Sequence, residues 1–256
     1  FYDTLHIVGF AFAHMGGPKG INDYFEEKGH RSYEYLVYRS LGEHYERKGR
    51  IGDSAKAYLA FIKLYPAHQR APELQVKAID AYVKGGFPTT AIIEKEAFIE
   101  RYKFSSPLWE DLHEKGKTLL KPHLKKHLHD LSEHYHALAQ QGRSKKETQK
   151  QADKDFNKAL YWYRLYLTSF PEAENIGQIN FVMADLLFDF RHYTAAVDKY
   201  TVAAYETPAH DNSAEAGYAA LMAYAEEEKN LTDRKKRADW QSLEIKSALR
   251  FSETFP

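Results

Sequence analysis

The sequence predicts an all-α protein, because apolar residues recur with helical spacing and strand patterns are missing. Segments such as Leu36–Tyr45 and Ala159–Leu167 place apolar residues three and four positions apart, which gives each segment one apolar helical face. A β-hairpin would appear as runs of alternating apolar and polar residues bounded by Asn-Gly or Asp-Gly turns, and the sequence contains no such runs. A packing pattern also recurs along the chain, which indicates a repeat architecture.

Composition excludes several classes of function. Lys plus Arg and Asp plus Glu each number 36 among 256 residues, so the formal net charge is zero. A general nucleic-acid-binding protein needs a basic excess to neutralise phosphates, so we expect no nucleic acid among the partners. The absence of cysteine excludes a disulfide framework, a thiolate zinc site and a cysteine nucleophile. No apolar run approaches the roughly 18 residues of a membrane span. Because the chain begins at Phe1 rather than Met, we expect it to be an excerpt of a longer polypeptide.

The first repeated pattern is a small residue, an aromatic residue four positions later, a second packing residue at seven and a proline at twelve. The first three share one helical face, and the small residue allows a neighbouring helix to approach closely. The proline ends the helix and sets the turn to the next unit. The copies are Ser54, Tyr58, Phe61 and Pro66; Ala159, Tyr163, Tyr166 and Pro171; Ala196, Tyr200, Ala203 and Pro208; and, more weakly, Ala91, Lys95, Phe98 and Lys103, and Glu244, Ala248, Phe251 and Pro256.

A second pattern lies upstream of each copy, with two small or apolar residues followed three positions later by an aromatic or aliphatic residue. Gly16, Gly49 and Gly86 follow four residues after that position, where a helix-ending glycine is expected. Each unit is therefore predicted to be a helix, a tight turn and a second helix. The copies are Val8-Gly9 with Phe12, Leu41-Gly42 with Tyr45, Ala78-Ile79 with Tyr82, Leu131-Ser132 with Tyr135, Met183-Ala184 with Leu187, and Ala220-Leu221 with Tyr224.

Taken together, Leu41-Gly42, Tyr45 and Gly49, followed by Ser54, Tyr58, Phe61 and Pro66, resemble a tetratricopeptide repeat. The adjoining Tyr65–His68 and Ala71-Pro72 are similar to the variant found in bacterial cell-envelope proteins such as outer-membrane assembly lipoproteins. The resemblance implies one solenoid domain over 1–256, a right-handed α-α superhelix of about six helix-turn-helix units. It also implies a periplasmic or cell-envelope location, with the cytoplasm as the alternative.

The units are predicted near 2–34, 35–68, 69–103, 122–171, 174–208 and 213–256. Their spacing is uneven, since Tyr45 and Tyr82 are 37 positions apart but Tyr82 and Tyr135 are 53 apart. The common repeat is about 34 residues, so insertions are predicted near 105–121, 140–154 and 226–239. The last two are polar and helix-forming, which predicts longer helices projecting beyond the solenoid, with flexible loops as the alternative.

Two sets of residues are candidates for binding a partner on the inner face of such a solenoid, which the first helix of each unit lines. The position two after the leucine-like residue of the second pattern is acidic in four units: Glu43, Asp80, Glu133 and Asp185. This acidic ladder is predicted to receive a basic or extended protein segment; the alternative is that it pairs with Arg39, Arg47, Lys84 and His129. Near the C-terminal end, an apolar set is predicted either to anchor a peptide or to form core: Phe181, Phe188, Tyr218 and Met222.

Other charged stretches have a plainer interpretation. His123 and His127 lie one helical turn apart, a spacing that can hold zinc, but Lys125 and Lys126 between them oppose a cation, so no metal is predicted. His129 and His136 are interpreted as groove or surface residues that tune binding between about pH 5 and 7. Basic stretches at 115–126, 143–150 and 234–237 are interpreted as solvated faces, with a phosphate-rich or anionic-lipid surface as the alternative.

Enzyme motifs are missing from the sequence. It has no complete Gly-x-x-x-x-Gly-Lys-Ser/Thr loop, no Gly-x-Ser-x-Gly elbow and no His-Glu-x-x-His. We therefore expect no catalytic residue and no cofactor, and we predict a scaffold that binds a protein segment in a concave helical groove within a larger assembly. The alternative is a superhelical domain of a larger cell-wall-processing enzyme whose catalytic part lies outside this chain.

Overall fold

The computed structural model describes residues 2–255, with side chains from residue 4 onward. Within that range every regular element is a helix and no strand is present, so the all-α prediction is confirmed. The helices are α1 (Tyr2–His14), α2 (Pro18–Lys28), α3 (Glu34–Arg47), α4 (Ile51–Leu64), α5 (Ala71–Lys84), α6 (Pro88–Tyr102), α7 (Pro107–Glu110), α8 (Glu114–Arg143), α9 (Gln149–Ser169), α10 (Ile176–Asp189), α11 (Tyr193–Tyr205), α12 (Ser213–Asn230) and α13 (Arg234–Thr254).

Helices that follow one another pack as antiparallel pairs. Along α3 and α4, the hydroxyl of Tyr65 bonds to Glu34, the rings of Tyr38 and Phe61 lie 5.7 Å apart, and Gly42 abuts Tyr58. Residue numbers therefore rise along α3 as they fall along α4. Three further pairs have the same antiparallel order. The contacts that show it are Gln75 with Arg101 and Tyr82 with Phe87 for α5 and α6; Phe181 with Tyr200 and Phe188 with Tyr193 for α10 and α11; and Tyr218 with Phe251 and Tyr224 with Trp240 for α12 and α13.

Most small, aromatic and packing residues of the two repeated patterns lie in the core, whereas Pro66, Pro171 and Pro208 are exposed. Ser54, Tyr58 and Phe61 are at most 1% exposed, and Ala196 is fully buried. The small residues allow the aromatic side chains of the partner helix to lie against the backbone, as the sequence pattern predicts. The C-terminal copy differs, because no residue of α13 is buried.

Four of the units turn between their helices in the same way. Just after α3, Gly49 has a φ of 71°, and the N–H of Arg50 bonds back to the carbonyl of Tyr45 at 2.9 Å. This is the bonding of a helix C-cap that needs a left-handed residue. Gly16 and Gly86 occupy the same position, whereas Arg191 occupies it after α10, with a φ of 62°.

The chain divides into two compact units, Phe1–His127 and Leu128–Pro256, with the boundary inside α8. The predicted insertion at 105–121 contains α7, the residues that follow it and the start of α8. The hydroxyl of Ser106 caps α7 by accepting a hydrogen bond from the N–H of Trp109. At 140–154 and 226–239, α8, α9, α12 and α13 extend through most of the predicted insertions and leave short turns at 144–148 and 231–233. Among the described residues, no helix is both long enough and apolar enough to cross a membrane.

Candidate functional site

A cleft of about 520 Å³ opens in the first unit between the N-terminal half of α5 and the start of α8. One wall belongs to α5, the first helix of a predicted repeat unit, and the other to the start of α8, most of which falls in the predicted insertion at 105–121. Four apolar residues form its floor: Pro72, Val76, Leu119 and Leu120. Leu119 is 59% exposed, whereas Val76 and Leu120 are buried. The cleft therefore offers apolar surface that no other described part of the chain covers.

Gln69 fixes the shape of this cleft. Its amide nitrogen donates to the carbonyl of Asp111 at 2.9 Å, and its amide oxygen accepts the N–H of His113 at 3.0 Å. The side chain thus ties the 111–113 segment, which leads into α8, to the segment that leads into α5. Pro72 in the first turn of α5 suits this entry, because proline favours the helix start.

Cations dominate the rim of the cleft. Arg70, Lys77 and Lys115 line it together with the single carboxylate of Glu73. Arg70 lies 3.1 Å from Glu73, and Lys77 lies 3.4 Å from Glu43, whereas Lys115 has no ion pair among residues 4–255. The first turn of α8, which lines the cleft at Gly116, adds the partial positive charge of a helix N-terminus.

The two carboxylates beside the cleft are already held by cations. Arg39 on α3 lies 2.8 Å from Glu43 and 3.4 Å from Glu73, so it joins α3 to α5. Burial raises the pKa of Glu43, but its bonds to Arg39 and Lys77 outweigh burial and hold that pKa below the ordinary value. Glu43 is therefore a charged, paired carboxylate in the folded protein.

The four residues of the predicted acidic ladder have different surroundings. In the first unit Glu43 is paired, as described, and Asp80 is exposed without an ion pair to any described residue. In the second unit Glu133 is exposed and lies 3.4 Å from His129, whereas Asp185 is half-buried and accepts the hydroxyl of Tyr200 at 2.6 Å. That all four line one groove stays a prediction, because they are divided between the two units.

The four residues of the predicted apolar set near the C-terminal end differ in how far they are exposed. Phe181 lies in the core, 8% exposed, with its ring 5.9 Å from that of Tyr200, so the core interpretation holds for it. Phe188 is half-buried against Tyr193. Tyr218 and Met222 remain exposed, by 57% and 44%, and are the members still open to a partner.

The histidines of α8 are less exposed than their sequence context predicts. His136 is buried, and its Nδ1 lies 2.9 Å from the hydroxyl of Tyr163. It is therefore a core residue rather than a groove or surface residue. Burial lowers its pKa, and the charge of Asp189 offsets only part of that effect. No cluster of three or more potential metal ligands occurs among the described residues.

Sequence reasoning missed the cleft. It treated Lys115 as part of a solvated basic face, and it gave no role to Gln69 or to the Leu119-Leu120 pair inside that basic stretch. An apolar pair within a run of lysines was the available signal. No protein-family model matches the sequence, and no curated protein is significantly similar to it.

Proposed function

We propose that the chain is an interaction scaffold that stacks its helix pairs in a right-handed, tetratricopeptide-like solenoid and holds an extended segment of a partner protein. The support for stacking is the recurrence of one helix-turn-helix unit, with the same small and aromatic residues buried in successive pairs. Such stacking leaves the first helix of each unit free to line a groove.

The cleft between α5 and α8 is the observation that carries the binding proposal. It combines an apolar floor, a charged rim and walls made of helices, a combination typical of sites that hold a ligand side chain. Because Gln69 ties the loop before α8 to the start of α5, the site is formed before a partner arrives. A preformed site loses less entropy on binding than one that must first be ordered.

A selection of random ten-residue peptides, displayed inside a carrier protein so that neither terminus is free, tests this proposal. The target is the full chain, and Leu119→Asp places a charge on the cleft floor at an exposed position. Ile93→Asp is the matched control, since Ile93 is 56% exposed on α6 and does not line the cleft. We expect peptides that bind the wild type and Ile93→Asp but not Leu119→Asp. If no enriched peptide distinguishes the two variants, the cleft is not a peptide site.

The cellular setting is proposed on narrower grounds. The resemblance of Tyr65–His68 and Ala71-Pro72 to cell-envelope repeat proteins supports a place in a bacterial envelope assembly, and we propose the periplasm. The alternative, a helical domain within a larger cell-wall-processing enzyme, stays a prediction, and no feature of the cleft favours it.

A further inference from the structure

We infer that the segment held in the cleft between α5 and α8 carries an acidic side chain next to an aliphatic or aromatic one. The inference rests on the proposed function and reverses the charge that the acidic ladder predicts for the partner. It follows from which charges around the cleft are already paired.

The carboxylates beside the cleft have little left to offer a basic partner. Glu73 is held by Arg70 and Arg39, and Glu43 is held by Arg39 and Lys77. A lysine or arginine from a partner would have to displace one of these cations to reach a carboxylate. It would also approach Lys115, which would repel it.

An acidic side chain meets the opposite situation. Lys115 stands at the rim without an ion pair among the described residues, and Lys77 has only a 3.4 Å contact to Glu43. The backbone N–H groups of the first turn of α8 point toward its N-terminus, which adds favourable potential for a negative charge. Arg70 and Lys77 already contact Glu73 and Glu43, so Lys115 is the lining cation that an acidic side chain can reach without breaking an ion pair among the described residues.

The apolar neighbour follows from the floor. Leu119 presents its side chain to solvent in the same cleft that Val76, Leu120, Pro72 and the charged residues line. Covering this surface with an aliphatic or aromatic side chain removes apolar area from water, at roughly 25 cal/mol per Å². An acidic residue alone would leave that surface open, so the recognised feature is the pair.

The peptides selected on the full chain test the inference by their composition. We expect those lost on Leu119→Asp to be enriched in Asp or Glu adjacent to Leu, Ile, Val, Phe or Tyr. Their synthetic forms should bind Lys115→Glu roughly 3- to 20-fold more weakly at low salt, because an attraction is replaced by a repulsion at a partly exposed position. Lys121→Glu is the matched control, since Lys121 is exposed on the same helix and does not line the cleft.

Each other outcome has a distinct meaning. Leu119-dependent peptides that are basic, and that lose affinity in Asp80→Asn, would overturn the inference and leave the proposed function intact. Leu119-dependent acidic peptides that bind Lys115→Glu and Lys121→Glu equally well would also overturn it, because the rim would then not select charge. The absence of any Leu119-dependent peptide would remove the proposed function, and the inference with it.

Discussion

The backbone of α3 at Gly42 lies directly against the ring of Tyr58 on α4. A Cβ atom built on Gly42 would come within 2.2 Å of Cε1 of that ring, much closer than two carbon atoms can approach. Tyr58 is itself fully buried. The two residues therefore set the distance between α3 and α4, because the ring of Tyr58 occupies the space that a side chain at position 42 would need.

The effect of Gly42→Ala on the free energy of unfolding should have opposite signs with tyrosine and with alanine at position 58. In the wild type we expect it to lower the free energy of unfolding by about 1–3 kcal/mol, because the methyl group overlaps the ring. Tyr58→Ala alone should cost about 3–5 kcal/mol by leaving a cavity. In that background Gly42→Ala should instead stabilise by up to about 1 kcal/mol, since alanine is the better helix former.

A double-mutant cycle in urea measures this coupling. The two single variants and the double variant are compared at one pH, with the slope of each transition checked for two-state unfolding. If Gly42→Ala were neutral in both backgrounds, α3 and α4 would lie farther apart than described.

Arg191 offers a way to stabilise the protein. It occupies the left-handed turn position that Gly16, Gly49 and Gly86 occupy in other units, and a left-handed conformation costs a non-glycine residue about 1–2 kcal/mol. Its side chain is exposed, so little packing would be lost by removing it. We expect Arg191→Gly to raise the free energy of unfolding by about 0.5–1 kcal/mol. The gain is smaller than the relieved strain because glycine also increases the conformational entropy of the unfolded chain.

Gly86→Ala is the reciprocal variant for this prediction. Nothing lies within 4 Å of a Cβ added at Gly86, so its cost should reflect the backbone conformation alone, at about 1 kcal/mol. Arg191→Ala keeps the Cβ atom and should not stabilise. A gain in Arg191→Ala equal to that in Arg191→Gly would assign the effect to the arginine side chain and contradict the backbone explanation.

The sequence was sufficient to predict the helix pairs because their determinants are local. Tyr45, Gly49, Ser54 and Tyr58 specify a capped helix, its turn and the next packing face within a short stretch of chain. The pattern weakens at Arg191, where the turn geometry is kept without its glycine. There the hydrogen bond from the N–H of His192 to the carbonyl of Leu187 maintains the turn.

The cleft could not be predicted in the same way because its determinants are far apart in sequence. Gln69 bonds to the backbone of Asp111 and His113 across more than 40 positions. Nor does the sequence say which carboxylates are already paired, since Lys77 reaches Glu43 on the preceding helix pair. The sign of the charge that remains available depends on those contacts.

Burial of His136 should make the protein less stable in mild acid. Burial lowers its pKa below the ordinary value of 6.5, so the unfolded chain binds a proton that the folded chain resists. The free energy of unfolding should then fall as the pH drops from about 7 through the unfolded pKa and toward the folded one. Burial also lowers the pKa of His44 and His68, which act in the same direction.

His136→Gln should therefore reduce this dependence on pH without abolishing it. Urea unfolding at several values between about pH 5 and 7.5 measures the slope. Tyr163→Phe is the companion variant, because it removes the hydroxyl 2.9 Å from His136 but keeps the imidazole. It should lower stability at every pH and retain the slope; an unchanged slope in His136→Gln would show that His136 does not resist protonation in the fold.

The hydrogen bond from Tyr200 to Asp185 should be stronger at neutral pH than in acid. Burial is the main cause that raises the pKa of Asp185; the Tyr200 hydroxyl lowers it, while the charges of Glu215 and Asp189 raise it. The net pKa is above the ordinary value, so the folded protein holds this proton more tightly than the unfolded chain. The resulting penalty grows as the pH rises from the unfolded pKa to the folded one, and it is complete above both.

Tyr200→Phe removes the one contribution in this set that favours the charged carboxylate. At pH 7 the bond is made to an ionised group, and its loss should cost about 1.5–3 kcal/mol. At a pH below the pKa of Asp185 in the folded protein, the lost bond is between neutral groups and should cost about 0.5–1.5 kcal/mol. Asp185→Asn keeps an oxygen that can accept from Tyr200 and removes the charge, so it should not destabilise at pH 7 and should flatten the pH dependence. Urea unfolding of the three proteins at several values between about pH 3 and pH 7 compares these costs. A cost of Tyr200→Phe that stays the same over this range would mean that the charge of Asp185 does not change within it.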